Sequence, residues 1–177
     1  ILIVLLLAGG LFALIKAAPY RLERLLAFQN FDSKNLAGSP YHIKQILIAL
    51  GSGGIAGLGF GKSIQKYAYL PESTTDSIFA IFAEEAGFIG ATLLIFCFVA
   101  LSIIGFYIAQ NARDTFGKLL GAGIISFISI QAFVNLASQV ILVPLTGIPL
   151  PFISYGGSSL VINFIAIGIL INIARHK

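Results

Sequence analysis

Residues 71–110 read PESTTDSIFAIFAEEAGFIGATLLIFCFVALSIIGFYIAQ. A polar loop carrying Glu72 and Asp76 runs straight into an apolar stretch whose only charges, Glu84 and Glu85, lie near its start. From Glu85 to Gln110 the stretch is uncharged, about 25 residues, and at about 1.5 Å per residue that crosses a hydrocarbon core of about 30 Å. Acids at the mouth of such a span are costly, and by default they mark function.

The rest of the chain has the same character. Of 177 residues, 58% are hydrophobic and 10% charged, whereas a soluble domain carries about 25% charged residues. Leu119 to Ala174 holds no Asp, Glu, Lys or Arg. Long uncharged runs without short alternating segments predict an all-α, polytopic transmembrane helix bundle rather than a barrel. Five spans are expected: 1–18, 43–61, 78–110, 119–143 and 158–174. The chain opens inside an apolar run and holds no Met, so a start upstream is expected. No basic region precedes residues 1–15, as a signal peptide would require. The single Cys97 allows no internal disulfide, and His42 and His176 lack metal-ligand spacing.

Five spans place the connections alternately on two sides. One side collects Lys16, Arg21, Arg24, Lys34, Arg113, Lys118, Arg175 and Lys177; the other has Lys62 and Lys66. The positive-inside rule then puts 19–42, 111–118 and the C-terminus in the cytoplasm, and the loops 62–77 and 144–157 outside. The net charge of +4 thus reads as topology, not as nucleic-acid binding. Tyr20 to Phe28 suits a short interfacial helix, with Leu22, Leu25 and Leu26 at helical spacing.

Several motifs have more than one reading. The glycine run from Gly51 to Gly61 contains G-x-G-x-x-A but lacks the strand and βαβ unit of a dinucleotide fold. Gly53, Gly57 and Gly61, four apart, suit close helix packing or a broken helix lining a cavity. Asp76 could simply cap the helix starting at Ser77, with Ser73 and Asp76 at capping-box spacing. Against that bland role, Glu72, Asp76, Glu84 and Glu85 crowd one junction just after Lys62 and Lys66, which suits an anionic or sugar ligand or a self-contained ion-pair cluster. Glu84 and Glu85 themselves read as structural, since neighbours on a helix diverge by about 100° and both cannot face lipid. Gln131, Asn135, Ser138 and Gln139 form one polar stripe, either interhelical hydrogen bonding or the wall of a polar groove. The loop Thr146 to Ser159, TGIPLPFISYGGSS, is stiffened by Pro149 and Pro151, and its Ser154 and Tyr155 could hydrogen-bond a sugar.

GIPLPFISYGGSS strongly resembles the C-terminal signature of the SEDS family (shape, elongation, division and sporulation proteins, FtsW/RodA/SpoVE). SIQKYAYLPESTTDSIFAIFAEEAGFIGA is similar to the family's external-loop motif. Ser63-Ile-Gln-Lys66 and Tyr69-Leu-Pro-Glu72 resemble the division branch, FtsW and its sporulation relative, more than RodA. The resemblance covers essentially the whole chain and implies the C-terminal half of a ten-span fold, a single membrane domain over 1–177. It implies a peptidoglycan glycosyltransferase that polymerises lipid II on the outer face of the bacterial cytoplasmic membrane. The P-E-x-x-x-D motif places the catalytic Asp on Asp76. Lys62, Lys66, Glu72, Ser154 and Tyr155 are the expected substrate-binding residues. A divalent cation, Mg or Mn, is the one cofactor expected. The expected partners are lipid II, the nascent glycan strand, a class B penicillin-binding transpeptidase, and divisome or elongation proteins. Two features depart from the family: Ser77 stands where Phe is usual, and Tyr41-His-Ile-Lys-Gln45 replaces a Gln-rich opening. A lipid II flippase, suggested by the glycine-broken span and the polar stripe, and a non-catalytic scaffold for a transpeptidase are the competing readings.

Overall fold

A computed structural model of the protein describes residues 24, 26, 28, 29, 40–67 and 74–175. Four helices are assigned there: α1 (Tyr41–Ser52), α2 (Ile78–Gln110), α3 (Thr115–Gln139) and α4 (Gly157–Arg175), with no strand among the described residues. α2, α3 and α4 are each long and apolar enough to cross a membrane. They stack antiparallel, because the α2–α3 turn is short and Asp114 caps α3 by accepting from the Gly117 N–H at 3.0 Å. Small residues set the close approach between helices. A Cβ at Gly105 would overlap the Ile125 side chain, and Gly121 lies against Ala109 and Leu170. Ser102 and Ser129 share a 2.7 Å hydrogen bond across the same α2–α3 seam. Outward faces carry Phe96, Ile103, Phe127, Phe133, Phe164 and Ile165, all exposed, as expected where the solvent is lipid.

Residues 43–61 differ from expectation. The helix there is only 12 residues long, about 18 Å, too short for a crossing. It gives way to turns in which Gly54, Gly57, Gly59 and Gly61 all have positive φ, a region closed to most side chains. Three of the five expected spans are therefore helices of crossing length, the second stops short, and the first lies outside the described residues.

α1 runs alongside the first leg of α2 in the same direction. His42 meets Ser77 at 3.0 Å, Ile46 and Ala49 pack on Ala80 and Ile81, and the Ser52 hydroxyl reaches Glu84. Residues 40–42 thus lie at the Asp76 end of the molecule. So does Arg24, which donates to the Leu145 carbonyl. The expectation that 19–42 lies opposite the Asp76 loop is corrected for Arg24 and 40–42, which lie at the Asp76 end. Counting each apolar run as one crossing put these residues at the other end.

α2 itself breaks at Gly87 (φ 66°, ψ −170°), giving a short first leg and a long second one. The break strips the carbonyls of Glu84 and Glu85 and the N–H groups of Phe88 and Ile89 of helical partners. The glycine loop supplies all four. Leu58 and Gly59 N–H donate to Glu84 and Glu85 (3.0 Å each), while Phe88 and Ile89 N–H donate to the carbonyls of Gly54 and Ile55 (2.9 and 3.2 Å). Backbone meets backbone here, so side chains do not fit. A Cβ on Gly57 would overlap the Glu85 carbonyl, and one on Gly87 would overlap the Gly57 nitrogen. The glycines serve close packing, but by a loop rather than by a second helix.

Candidate active site

Asp76 precedes the first turn of α2, where the helix does not use its main-chain carbonyl. Ala80 and Ile81 N–H groups turn to Ser77 instead. Two buried amides from α3 take the Asp76 carbonyl: Asn135 Nδ2 at 3.0 Å and Gln139 Nε2 at 2.9 Å. Asn135 donates also to the Ile148 carbonyl at 2.7 Å, and Gln131 to that of Pro149 at 2.9 Å. The polar stripe thus ties the Asp76 loop and the proline loop to one helix face. Ser154 adds a direct tie: its hydroxyl accepts from Leu150 N–H (2.7 Å) and donates to the Thr75 carbonyl (2.6 Å), while Tyr155 N–H donates to the Thr74 carbonyl (2.8 Å). Under the loops, Phe79, Ala132 and Leu150 form an apolar floor. Phe152 takes φ 65°, which is strained for a bulky residue, and its ring packs against Phe164 with centroids 5.8 Å apart.

Asp76 is half-buried and is not the helix cap. That position falls to Ser77, which makes no side-chain capping bond. The carboxylate instead faces Gly147. A Cβ on that glycine would lie 3.2 Å from Asp76 Oδ2 and 2.8 Å from Arg24 Nη1. A carboxylate and a guanidinium therefore flank one point on the proline loop, and Gly147, at φ 74°, is the residue that leaves room for both. Sequence reasoning missed Arg24, which is 52 positions away and was assigned to the opposite side. It saw the amide stripe but not its target.

The other expected site residues are distributed differently. Tyr155 is 81% exposed at the same end as Asp76. Ser154 is buried, with its hydroxyl engaged in the loop ties. Glu72 lies outside the described residues. Lys62 is exposed on the glycine loop. Lys66 pairs with Glu85 at 2.8 Å, more than two helical turns along α2 from Asp76. That hydrogen bond raises the lysine pKa, against a smaller downward effect of burial. Beside it, Glu84 is 1% exposed and draws in the hydroxyls of Ser63 and Ser52 and the N–H groups of Ile64 and Gln65. Both glutamates hold the glycine loop, which supports their structural reading.

No group of three or more His, Cys, Asp or Glu gathers to hold a metal among the described residues. Around Asp76 they offer one carboxylate with a guanidinium alongside, which does not form a protein-built Mg or Mn site. Two buried acceptors beneath, Asn135 Oδ1 and Gln139 Oε1, have no hydrogen-bond partner among the described groups.

These features define a multi-pass helical membrane protein that displays a carboxylate on a clamped loop at one end. The chain belongs to the family described as cell cycle protein, FTSW_RODA_SPOVE, whose model matches residues 1–177. It is 46% identical over 169 residues to Stage V sporulation protein E of Bacillus subtilis, covering 96% of this chain and 46% of that protein. Against the probable peptidoglycan glycosyltransferase FtsW of the same organism, identity is 50% over 153 residues, covering 85% of this chain and 38% of the relative. The probable peptidoglycan glycosyltransferase FtsW of Coxiella burnetii is 44% identical over 177 residues, covering 97% and 47%. The chain thus spans about half the length, or less, of the curated relatives it matches.

Proposed function

We propose that this chain is the C-terminal part of a peptidoglycan glycosyltransferase that polymerises lipid II, with Asp76 as general base. One observation carries the reading. α3 fixes Asp76 through its main chain, with two amides on one carbonyl, while the half-buried carboxylate is turned to the Gly147 face beside Arg24. The two amides act on the main-chain carbonyl and leave the carboxylate oxygens to other contacts.

In the proposed step a sugar hydroxyl of the acceptor lipid II attacks the anomeric carbon of the growing chain. A new C–O bond forms, the bond to the lipid pyrophosphate breaks, and the hydroxyl proton passes to Asp76. General-base help of this kind contributes about 10²- to 10⁴-fold. Arg24 is the cation placed to meet the departing pyrophosphate, and guanidinium suits phosphate oxygens. A Mg or Mn ion would arrive with the pyrophosphate rather than reside in the protein, and no step here depends on one. Tyr155 is placed to meet sugar hydroxyls. The proposed setting is the outer face of the bacterial cytoplasmic membrane, alongside a class B penicillin-binding transpeptidase and divisome or elongation proteins.

The flippase reading loses its support: the glycine-broken segment seals a helix break, and the polar stripe clamps two loops. A pure scaffold leaves the Asp76 clamp unexplained. The test is polymerisation of purified lipid II by the full-length protein carrying Asp76→Asn. Loss of polymer with lipid II binding retained is expected. Wild-type polymerisation by that variant overturns the role.

A further inference from the structure

The loop that seals the α2 break uses its backbone for the seal and leaves its large side chains outside. Ile55, Phe60, Ile64 and Tyr67 are exposed, Phe60 at 98%. A loop bathed in water rarely gathers such a patch, and its place in the molecule indicates which medium covers it.

Phe88 and Ile89, the first residues after the break, are exposed as well. They begin an apolar stripe that continues through Leu93, Phe96 and Ile103 to Tyr107. This second leg has about 23 residues, about 35 Å, and so crosses a hydrocarbon core of about 30 Å without the first leg. Gly87 therefore marks the level at which hydrocarbon begins. The loop is fastened at that level, since Ile89 N–H donates to the Ile55 carbonyl and Phe88 N–H to that of Gly54. Irregular backbone is tolerated near lipid only when its polar groups are paired within the protein. Here the N–H groups of Gly57, Leu58, Gly59, Lys62 and Tyr67 are all bonded to protein carbonyls. Lys62 sits between Phe60 and Ile64, exposed, so its stem can lie along apolar groups while the ammonium reaches phosphate.

We propose that residues 54–67 form a membrane-dipping loop. Phe60, Ile55 and Ile64 insert into the boundary of the leaflet on the Asp76 side, and Lys62 engages phospholipid headgroups. The occupant is bilayer lipid, because Ile55 is fastened beside Ile89, where the exposed apolar stripe of α2 begins. The loop would anchor the first leg of α2, and Asp76 with it, at a fixed depth.

The experiment uses the full-length protein in vesicles of phosphatidylcholine and phosphatidylglycerol, with part of the phosphatidylcholine brominated. These 177 residues contain no Trp, so Phe60→Trp reports on the loop once the parent protein's signal is subtracted. Phe96→Trp is the lipid-facing control and Asn111→Trp the control at a polar turn. Brominated lipid is expected to quench position 60 at least half as strongly as position 96, with little quenching by aqueous acrylamide. Ile64→Trp should behave alike, which guards against one variant folding poorly. Acrylamide quenching equal to that at position 111 places the loop in water and overturns the proposal. Shielding from both quenchers means protein covers the patch, and it overturns the proposal equally.

Discussion

Two irregular segments are tied to the first leg of α2, and they are tied by opposite means. The glycine loop is held by charge and by backbone: Glu84 gathers hydroxyl and N–H donors, Glu85 takes Lys66, and Gly53, Gly57 and Gly87 allow main chains to touch. The Asp76 loop is held by neutral groups, the amides of Asn135 and Gln139 and the hydroxyl of Ser154, all acting on main-chain carbonyls. An acid in the first segment is a staple. In the second, the amides of α3 grip Asp76 through its main-chain carbonyl. The glutamates thus hold a loop through their carboxylates, while Asp76 is gripped through its main chain a few turns away.

The sharpest way to break this contrast is to remove one acid from each segment. Glu84→Ala leaves buried hydroxyl and N–H donors unsatisfied around an emptied site, and a loss of about 3–5 kcal/mol is expected. In practice that means poor recovery of monodisperse protein in detergent and a lower unfolding midpoint. Asp76→Asn should leave both quantities near wild type while lipid II polymerisation falls by about 10²-fold or more. If Asp76→Asn destabilised the protein as Glu84→Ala does, the two acids would be equivalent and the contrast would be lost.

The glycines give the next largest effect. Gly57→Ala and Gly87→Ala each combine a positive φ with a Cβ directed into opposing backbone, so each should cost several kcal/mol, about 3 or more. Gly123 has open space where its Cβ would go, and Gly123→Ala should be neutral or slightly stabilising. Thermal unfolding of the three variants side by side checks this. Equal midpoints would show that the backbone seal at the break contributes little.

The neutral clamp should behave differently from the charged staple. Asn135→Ala removes donors from the Asp76 and Ile148 carbonyls at once, a cost of about 1–3 kcal/mol. Its effect should fall on turnover beyond what the lost stability explains, with Gln139→Ala weaker because one bond is lost. Lys66→Gln, in contrast, removes a partly exposed ion pair and should leave turnover within a few-fold of wild type. The lysine pKa is raised by its partner, so Lys66 keeps its charge throughout the neutral range and loses it as pH climbs through that raised value. Polymerisation that tracked Lys66 closely would place this residue on the substrate side.

How much of this was legible in the sequence depends on the range of the interaction. The helices over 78–110, 115–139 and 157–175 follow from uncharged length, a local property. The glycine run was visible as a departure from helix, but its meaning depends on a second break 30 residues later at Gly87, which composition does not mark. Reading 43–61 as a crossing followed from hydropathy alone, and that one miscount moved Arg24 to the wrong end. The amide stripe was legible because i, i+4, i+7, i+8 spacing is written into one helix. Its targets were not, since main-chain carbonyls of distant loops carry no sequence signature. Ser154 was singled out as a hydroxyl near sugar, and only its neighbours show it bridging two loops.

The smallest expected effect tests the two departures from the family pattern, which sequence treated as separate. His42, in the altered 41–45 opening, and Ser77, in place of the usual Phe, touch each other through a 3.0 Å hydrogen bond at the start of α2, one residue from Asp76. Ser77 is fully buried, so a hydroxyl there needs a partner, and His42 is that partner. A Phe at 77 would have no such need but would need the space. The pair should therefore be coupled: His42→Ala strands the hydroxyl, and Ser77→Ala removes one hydrogen-bond partner of the imidazole. The double variant should cost less than the sum of the singles by about 0.5–1.5 kcal/mol in unfolding free energy. Strict additivity would mean the contact is incidental. It would also shift the anchoring of this end onto the α3 amides, Ser154 and the Tyr155 N–H, which would sharpen the contrast between neutral clamp and charged staple.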